Sequence, residues 1–258
     1  MKFIFFLAFL TINVFGVSDV ADIRNNVGWD EKYGQMLDVN SRLISQTGQE
    51  TTFDSILSDD NPTVLVLAYY SCPKMCSFIL DGVSEVVAAS EMRPGVDYNL
   101  VTLSFNQSDT PELSQNYYNK FANNLSNEES WSFYTSDEES IQKITSSVGF
   151  KFQPDGDEFA HPAGIIILTS ERVVSRYLSG VIYDPRDFKL ALLEASEGTT
   201  GKVSLTDKVL LYCFDFDPVG KRYALKALNV MKLGGAITLI AIIIMMGILW
   251  LKKSKGDT

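Results

Sequence analysis

The chain contains few histidines and cysteines, and its basic residues are fewer than its acidic ones. It has one histidine and three cysteines among 258 residues, and its 22 Lys and Arg residues are outnumbered by 32 Asp and Glu residues. The formal net charge of -10 leaves no basic stripe that could neutralise phosphates, which argues against nucleic acid as a partner. HExxH, EF-hand, P-loop and GxGxxG patterns are also lacking, so none of these motifs competes as a functional site. Internal repeats and long low-complexity tracts are missing too, and we expect one main domain with appended segments.

The two ends of the chain differ from its middle because they are strongly apolar. Residues 1–17 read MKFIFFLAFLTINVFGV, in which Lys2 precedes an apolar run that is too short to span a bilayer. This pattern is typical of a secretory signal peptide, with small residues at Gly16 and Ser18 for cleavage. An uncleaved anchor and a buried N-terminal segment are the alternatives.

The second apolar stretch, residues 233–251, reads LGGAITLIAIIIMMGILWL and carries no charge. At a rise of about 1.5 Å per residue it covers the hydrocarbon core of a bilayer, so we predict a transmembrane helix at residues 230–251. Trp250 lies at an interface position, and lysines flank the helix on both sides. Because the charge rule then sets no orientation, the signal peptide decides it: the body is exported and the tail, residues 252–258, stays in the cytoplasm.

Hydrophobic periodicity between these ends predicts alternating strands and helices. The run TVLVLAYY at residues 63–70 is apolar almost throughout, as in a strand that is covered on both faces, and residues 74–91 have helical spacing. The apolar face of that helix is predicted to contain Phe78, Ile79, Val83, Val86 and Val87. Further strands are predicted at residues 98–105, 131–135, 163–169 and 172–178. Further helices are predicted to begin near residues 109–112, to cover residues 137–148 and to follow residues 184–185.

The predicted order β-α-β-α-β-α-β-β-α corresponds to a three-layer α/β domain with parallel strands. About two residues separate the last two strands, so these should form an antiparallel hairpin at the end of the sheet. We therefore predict an elaborated thioredoxin-like fold at residues 59–198. Residues 18–58 are predicted to be an N-terminal extension, and residues 199–229 a juxtamembrane segment.

The decapeptide YYSCPKMCSF contains two of the three cysteines, Cys72 and Cys76, directly after the predicted strand at residues 63–70. In open α/β sheets, ligands bind beyond the carboxyl ends of the parallel strands. At the first turn of a helix, unpaired N–H groups favour a thiolate, and i, i+4 spacing puts both side chains on one face. Both sulfur atoms should therefore point into the same cleft.

His161 is the only histidine of the chain, and it precedes the predicted strand at residues 163–169. If that strand is antiparallel to the strand at residues 63–70, His161 should face the cysteine turn. Two thiolates and one imidazole are ligands that suit copper, as Cu(I) or Cu(II), whereas a structural zinc site usually has a fourth protein ligand.

Other interpretations of the same residues stay open. Cys72 and Cys76 could form a structural disulfide, since helical i, i+4 Cα atoms lie about 6 Å apart, or they could form a redox pair. His161 could be a surface or packed residue. Cys213, in LLYCFDF, could be a buried apolar residue or an extra thiol.

The neighbours of these residues also have two interpretations. Tyr69 and Tyr70 could wall the cleft or belong to the core. Three carboxylates before His161 could accept its second ring N–H or form a solvated acidic loop. These carboxylates are Asp155, Asp157 and Glu158.

Several segments together resemble the Sco/SenC family, which consists of thioredoxin-fold copper chaperones for cytochrome c oxidase assembly. The segments are YYSCPKMC, SFNQSDTPE, FAHPAGIIILTSERVVSRYLSG, VIYDPRDFKLALLEAS and LLYCFDFDP. With the apolar anchor that follows, they resemble the bacterial branch that has a C-terminal membrane helix. The resemblance covers residues 27–251, and the combination of CPxxC with the downstream HPAG makes it specific.

This resemblance implies that Cys72, Cys76 and His161 bind one copper ion. It implies delivery of copper to the copper-binding subunit of a respiratory oxidase or, alternatively, thiol–disulfide reduction of that subunit's cysteines. The expected location is the bacterial inner membrane, with a single span and the globular domain on the periplasmic side. The chain departs from the family at Asn106, where many members have an acid, and at Ala160, where the mitochondrial branch has Asp. A peroxidase on the same fold and a binding module with a structural disulfide are the remaining alternatives.

Overall fold

The computed structural model describes residues 26–57, 60–72, 75–122, 130–197, 214–217, 222–225 and 227–254. Only the backbone is described for residues 75–77, 214–217, 222–225, 227–228 and 247–254. The predicted signal peptide at residues 1–17 and Cys213 lie outside the described residues. Cys76 is described by its backbone alone.

The described chain forms thirteen strands and six helices. The strands are β1 (Gly28–Trp29), β2 (Arg42–Ser45), β3 (Glu50–Thr52), β4 (Thr63–Ala68), β5 (Asn99–Ser104), β6 (Ser132–Thr135), β7 (Phe150–Lys151), β8 (Gln153–Asp155), β9 (Glu158–Ala160), β10 (Gly164–Leu168), β11 (Val174–Ser179), β12 (Phe214–Asp217) and β13 (Arg222–Leu225). The helices are α1 (Phe53–Ile56), α2 (Met75–Ala89), α3 (Pro111–Phe121), α4 (Glu138–Ser147), α5 (Pro185–Ser196) and α6 (Ala227–Ser254). Helices α3, α4 and α5 begin where a side-chain oxygen can cap the first turn, at Thr110, Asp137 and Asp184.

The central sheet has seven strands in the order β11-β10-β4-β5-β6-β2-β3. Strands β4, β5 and β6 are parallel, because helices α2 and α3 make the crossovers between them. Strand β10 pairs antiparallel with both β4 and β11. This pairing confirms the predicted terminal hairpin, and it meets the condition under which His161 was expected to face the cysteine turn, namely that β10 is antiparallel to β4. The result is a thioredoxin-like α/β fold with a mixed sheet.

Two hydrophobic cores cover the faces of the sheet. One lies between the sheet and helices α2, α3 and α5, and the other lies between the sheet and helices α1 and α4. Val64 and Val66 face the first core, and Leu65 and Leu67 face the second. Because consecutive residues of β4 enter different cores, this strand is apolar along almost its whole length.

One residue of α2 departs from the predicted helix face. Ile79, Val83, Val86 and Val87 are buried as predicted, but Phe78 is 57% exposed. Each residue turns the helix by about 100°, so Phe78 falls outside the stripe that its neighbour Ile79 shares with Val83 and Val86.

Two stretches contain strands that the sequence pattern did not predict. In the segment at residues 18–58, which was expected to be an extension, β2 pairs with both β3 and β6, so residues 42–52 belong to the central sheet. In the expected loop at residues 150–161, β7 pairs with β1, and β8 pairs with β9 as a hairpin. These strands have only two to four residues, too few for hydrophobic periodicity to reveal them.

Helix α6 spans 28 residues. Its segment Asn229–Met246 has a mean hydropathy of 1.9, and none of it is buried against the rest of the chain. In the part of the chain that the structure describes, it is the one helix long and apolar enough to cross a membrane. The predicted span at residues 230–251 lies within it.

Candidate metal centre

Cys72 lies beyond the carboxyl end of β4, in the turn that leads to α2. It is 8% exposed and belongs to the core between the sheet and α4, together with Tyr69 and Phe105. Its N–H donates to the carbonyl oxygen of Tyr69 at 3.4 Å, which is long for a hydrogen bond. The backbone of Cys76 lies in the first turn of α2, as predicted.

His161 reaches the same edge of the sheet from the start of β10. When the antiparallel register of β10 and β4 is continued beyond the paired residues, His161 comes level with Tyr70. The ring centroids of His161 and Tyr69 lie 5.8 Å apart. The fold therefore brings the segment of His161 to the turn that contains Cys72.

Gly164 allows the His161 segment to enter the sheet at this point. Its φ is 151°, and an added Cβ would lie 2.6 Å from the carbonyl oxygen of Leu178 on the neighbouring strand. A residue with a side chain would be strained here and would push the strands apart. The glycine of HPAG is thus required by the close approach of β10 and β11.

Aromatic rings from two further segments surround His161. The ring centroid of Phe105, which follows β5, lies 5.1 Å from that of His161, and the centroid of Phe150 in β7 lies 6.2 Å away. Phe105 is fixed by its N–H, which donates to the carbonyl oxygen of Ala68 at 2.9 Å. The imidazole is therefore held against apolar groups on several sides.

A hydrogen bond defines the tautomer of His161. Its Nδ1 lies 3.0 Å from the carbonyl oxygen of Pro162. Because a carbonyl oxygen only accepts, Nδ1 carries the proton, and Nε2 of the neutral ring keeps its lone pair. A histidine that is oriented in this way is prepared to bind a metal ion through Nε2.

Burial lowers the pKa of His161 from its ordinary value of 6.5, and the hydrogen bond to Pro162 offsets this shift only in part. The ring is therefore neutral at pH 7. The neutral ring is the form that binds metals, so no proton has to be displaced from Nε2 before a metal binds.

The second ring N–H of His161 has a partner other than the carboxylates that precede it. The carbonyl of Pro162 accepts the Nδ1 proton instead, and the three carboxylates are exposed at the tip of the β8–β9 hairpin. Both observations favour the solvated acidic loop of the two interpretations. Its members are Asp155, Asp157 and Glu158.

Tyr69 and Tyr70 face opposite sides of the sheet. Tyr69 contacts His161, as expected for a wall of the site. Tyr70 packs into the other core, against Tyr117 and Phe133, so for this residue the core interpretation is confirmed and the cleft-wall interpretation is not. The alternation of side chains in an extended segment explains the difference.

Sequence reasoning missed the aromatic cluster beside His161. Phe105, Phe150, Phe152 and Phe159 line a cleft of about 430 Å³ between α4 and the β8–β9 hairpin. The spacing of Phe150 and Phe152 was the available signal, because residues i and i+2 of an extended chain share a face.

A buried carboxylate near the cysteine turn was also missed. Asp109, in the loop after β5, is 6% exposed, and its Oδ2 accepts the N–H of Tyr70 at 2.5 Å. The sequence indicated Asp109 only as part of a helix start. Its contact with Tyr70 joins segments 39 residues apart, which no local pattern reveals.

The donor set near this turn suits a soft metal ion. Among the described side chains, no group of three or more His, Cys, Asp or Glu residues is arranged to hold a metal, and the side chain of Cys76 lies outside this search. Cys72 and His161 offer one sulfur and one imidazole nitrogen on neighbouring segments. A second thiolate from Cys76 would give a set that suits copper.

One protein family matches most of the globular part. The SCO1/SenC family model matches residues 31–189. No curated protein sequence matches the chain.

Solved structures share the fold at low sequence identity. A structure from Aquifex aeolicus VF5, described as an electron transfer protein, is 22% identical to this chain and has a TM-score of 0.58. The match covers 67% of this chain and 99% of the Aquifex chain. A SCO1/SenC family lipoprotein of Bacillus anthracis str. Ames is 17% identical and has a TM-score of 0.50, and the match covers 63% of this chain and 98% of the lipoprotein. ScoI of Arabidopsis thaliana, solved with copper bound, is 18% identical and has a TM-score of 0.48, and the match covers 61% of this chain and 92% of the ScoI chain. The first two show the common fold.

Proposed function

Because the chain belongs to the SCO1/SenC family, we propose that it is a membrane-tethered copper metallochaperone. It binds one copper ion through Cys72, Cys76 and His161. It passes this ion to the copper-binding subunit of a respiratory oxidase during cytochrome c oxidase assembly. After removal of residues 1–17, α6 holds the globular part at the periplasmic face of the inner membrane.

The observation that carries the proposal is the tautomer of His161 and the position of its ring beside the turn that contains Cys72. Its ring contacts Tyr69, whose carbonyl oxygen accepts the N–H of Cys72. Its Nδ1 is engaged by Pro162, which leaves Nε2 as the nitrogen that can bind a metal. Three protein ligands would also leave an open position, so a ligand of the recipient could enter before copper leaves.

An anaerobic copper titration of the reduced full-length chain in detergent tests this function. We expect one saturable site in the unsubstituted chain. Loss of a residue that only supports a metal ligand weakens metal binding by ~10–100-fold. Loss of a ligand itself should weaken copper binding at least as much, and we expect this for Cys72→Ser, Cys76→Ser and His161→Ala. Cys213→Ser is the control and should bind like the unsubstituted chain. Copper binding that survives all three ligand substitutions would contradict the proposal.

A thiol–disulfide oxidoreductase is the second candidate function. The position of Cys76 in the first turn of α2 supports it, because helix N-termini favour the thiolate that attacks a disulfide. In this role the protein would reduce the cysteines of the oxidase subunit before copper is loaded. His161→Ala separates the two functions: turnover of a substrate disulfide should persist in this variant, whereas copper binding should not.

A further inference from the structure

The loop between β5 and α3 contacts both segments that carry candidate ligands. At its start, the ring of Phe105 lies against His161, with 5.1 Å between centroids. At its end, Asp109 reaches the turn that contains Cys72. A single loop thus lies between the thiol segment and the imidazole segment.

The carboxylate of Asp109 is buried and is surrounded by donors. Its Oδ2 accepts the N–H of Tyr70 at 2.5 Å and the hydroxyl of Ser104 at 2.6 Å. Its Oδ1 accepts the side-chain amide of Asn106 at 3.2 Å. The same amide donates to the hydroxyl of Ser71 at 2.9 Å. Asp109 therefore holds both residues that precede Cys72, one directly and one through Asn106.

These bonds contribute to the geometry of the turn. The hydrogen bond within the turn, from Cys72 to Tyr69, is long at 3.4 Å. Tyr70 is also fixed at its other end, where its hydroxyl donates to the carbonyl oxygen of Tyr134 at 2.8 Å. The backbone that leads into Cys72 is thus anchored at Tyr70 by two separate contacts.

We infer that Asp109 is a positioning residue for copper binding, because its hydrogen bonds aim Cys72 toward His161. The inference rests on the proposed copper function and does not require Asp109 to touch the metal. A carboxylate is needed because the three groups that face it are all donors. An asparagine of nearly the same shape would turn an N–H toward one of them.

Asp109→Asn in the full-length chain tests the inference. We expect copper binding to weaken by about 10–100-fold, the range for residues that support a metal ligand. Asp97→Asn is the matched control, because the carboxylate of Asp97 accepts the N–H of Arg93 at 2.7 Å in the turn before β5, at the opposite edge of the sheet. This control should keep the affinity of the unsubstituted chain.

A second readout needs no metal. In a reduced chain that also carries Cys76→Ser and Cys213→Ser, iodoacetamide reports on Cys72 alone. Asp109→Asn should raise the alkylation rate, because the buried thiol is no longer held in place, and Asp97→Asn should not. Each variant is measured well below its own unfolding temperature.

The outcomes separate this inference from the proposed function. If the unsubstituted chain binds no copper, the proposed function fails, and the alkylation rates still decide the role of Asp109. If Asp109→Asn lowers the unfolding temperature but leaves copper affinity and alkylation unchanged, the inference is overturned and Asp109 is only structural.

Should Asp109→Asn not fold, Asn106→Ala removes the link to Ser71 and keeps the bond to Tyr70. Asn106→Ala should also weaken copper binding and raise the alkylation rate of Cys72, each by a smaller amount than Asp109→Asn. If neither quantity changes in Asn106→Ala, the inference is overturned.

Discussion

At the scale of single residues, two opposing effects act on His161. Burial against the rings of Tyr69, Phe105 and Phe150 disfavours the charged imidazolium. The carbonyl oxygen of Pro162 favours it, since it accepts the Nδ1 proton. Burial is the larger effect, so the folded chain keeps the ring neutral where an exposed histidine already begins to take up a proton.

The stability of the metal-free, reduced protein should therefore fall as the pH drops below 6.5, the ordinary pKa of histidine. Between this value and the lower pKa of folded His161, the unfolded chain binds a proton that the folded chain does not. The free energy of unfolding consequently decreases with falling pH in this window and levels off below the folded pKa. Urea unfolding of the unsubstituted chain between about pH 7.5 and 5 measures the effect.

His161→Gln is the control for this prediction, because His161 is the only histidine of the chain. The variant keeps every carboxylate and should lack only the part of the pH dependence that belongs to the ring. Equal slopes for the two proteins across this window would show that folding does not lower the pKa of His161.

At the scale of secondary-structure elements, the sequence predicted the strands that are buried on both faces. Strands β4 and β10 consist almost entirely of apolar residues, and their positions follow from that pattern. Their antiparallel direction is a condition on which the expected place of His161 depends, and the register of β10 with β4 meets that condition. Strand β2, which lies between β6 and β3, has four residues, of which only Leu43 is buried, so it shows no alternation that could be recognised. The ligand segments could be predicted because topology alone brings strand ends together. The contacts of Asp109 with Tyr70 and of Phe150 with His161 could not, because they depend on how distant segments pack.

Helix α2, which carries Cys76, is held in place through Gly82. A Cβ added at Gly82 would lie 1.9 Å from the carbonyl oxygen of Val181, in the loop after β11. In an exposed helix, replacement of glycine by alanine usually stabilises by about 0.5–1 kcal/mol. At Gly82 we expect the opposite sign, a loss of about 1–3 kcal/mol, because the backbone of the facing loop has to move. Urea unfolding measures this change.

Glu85→Ala is the matched control on the same helix, since Glu85 is exposed. It should change the free energy of unfolding by less than about 0.5 kcal/mol. Displacement of α2 in Gly82→Ala should also weaken copper binding, because the first turn of the helix moves with it. A stabilising effect of Gly82→Ala would mean that α2 does not pack closely against Val181.

At the scale of the whole molecule, the globular part and α6 have opposite surface chemistry. The chain as a whole carries a net charge of -10, which favours solubility. The described side chains of α6 are largely exposed and apolar from residue 233 to residue 246, so water is an unfavourable environment for them. The hydrocarbon core of a bilayer would be a favourable environment for these side chains, which is compatible with the single membrane anchor proposed above.

Deletion of residues 227–258 should therefore move the protein from the membrane fraction to the soluble fraction. A variant in which residues 230–251 are shuffled is the matched control. It should stay in the membrane, since partitioning depends on apolar length and composition rather than on order. Fractionation with an alkaline carbonate wash measures the distribution, and N-terminal sequencing shows whether residues 1–17 have been removed. If the truncated chain stays in the membrane and still begins at Met1, residues 1–17 are an anchor, and the proposed cleavage of a signal peptide is wrong.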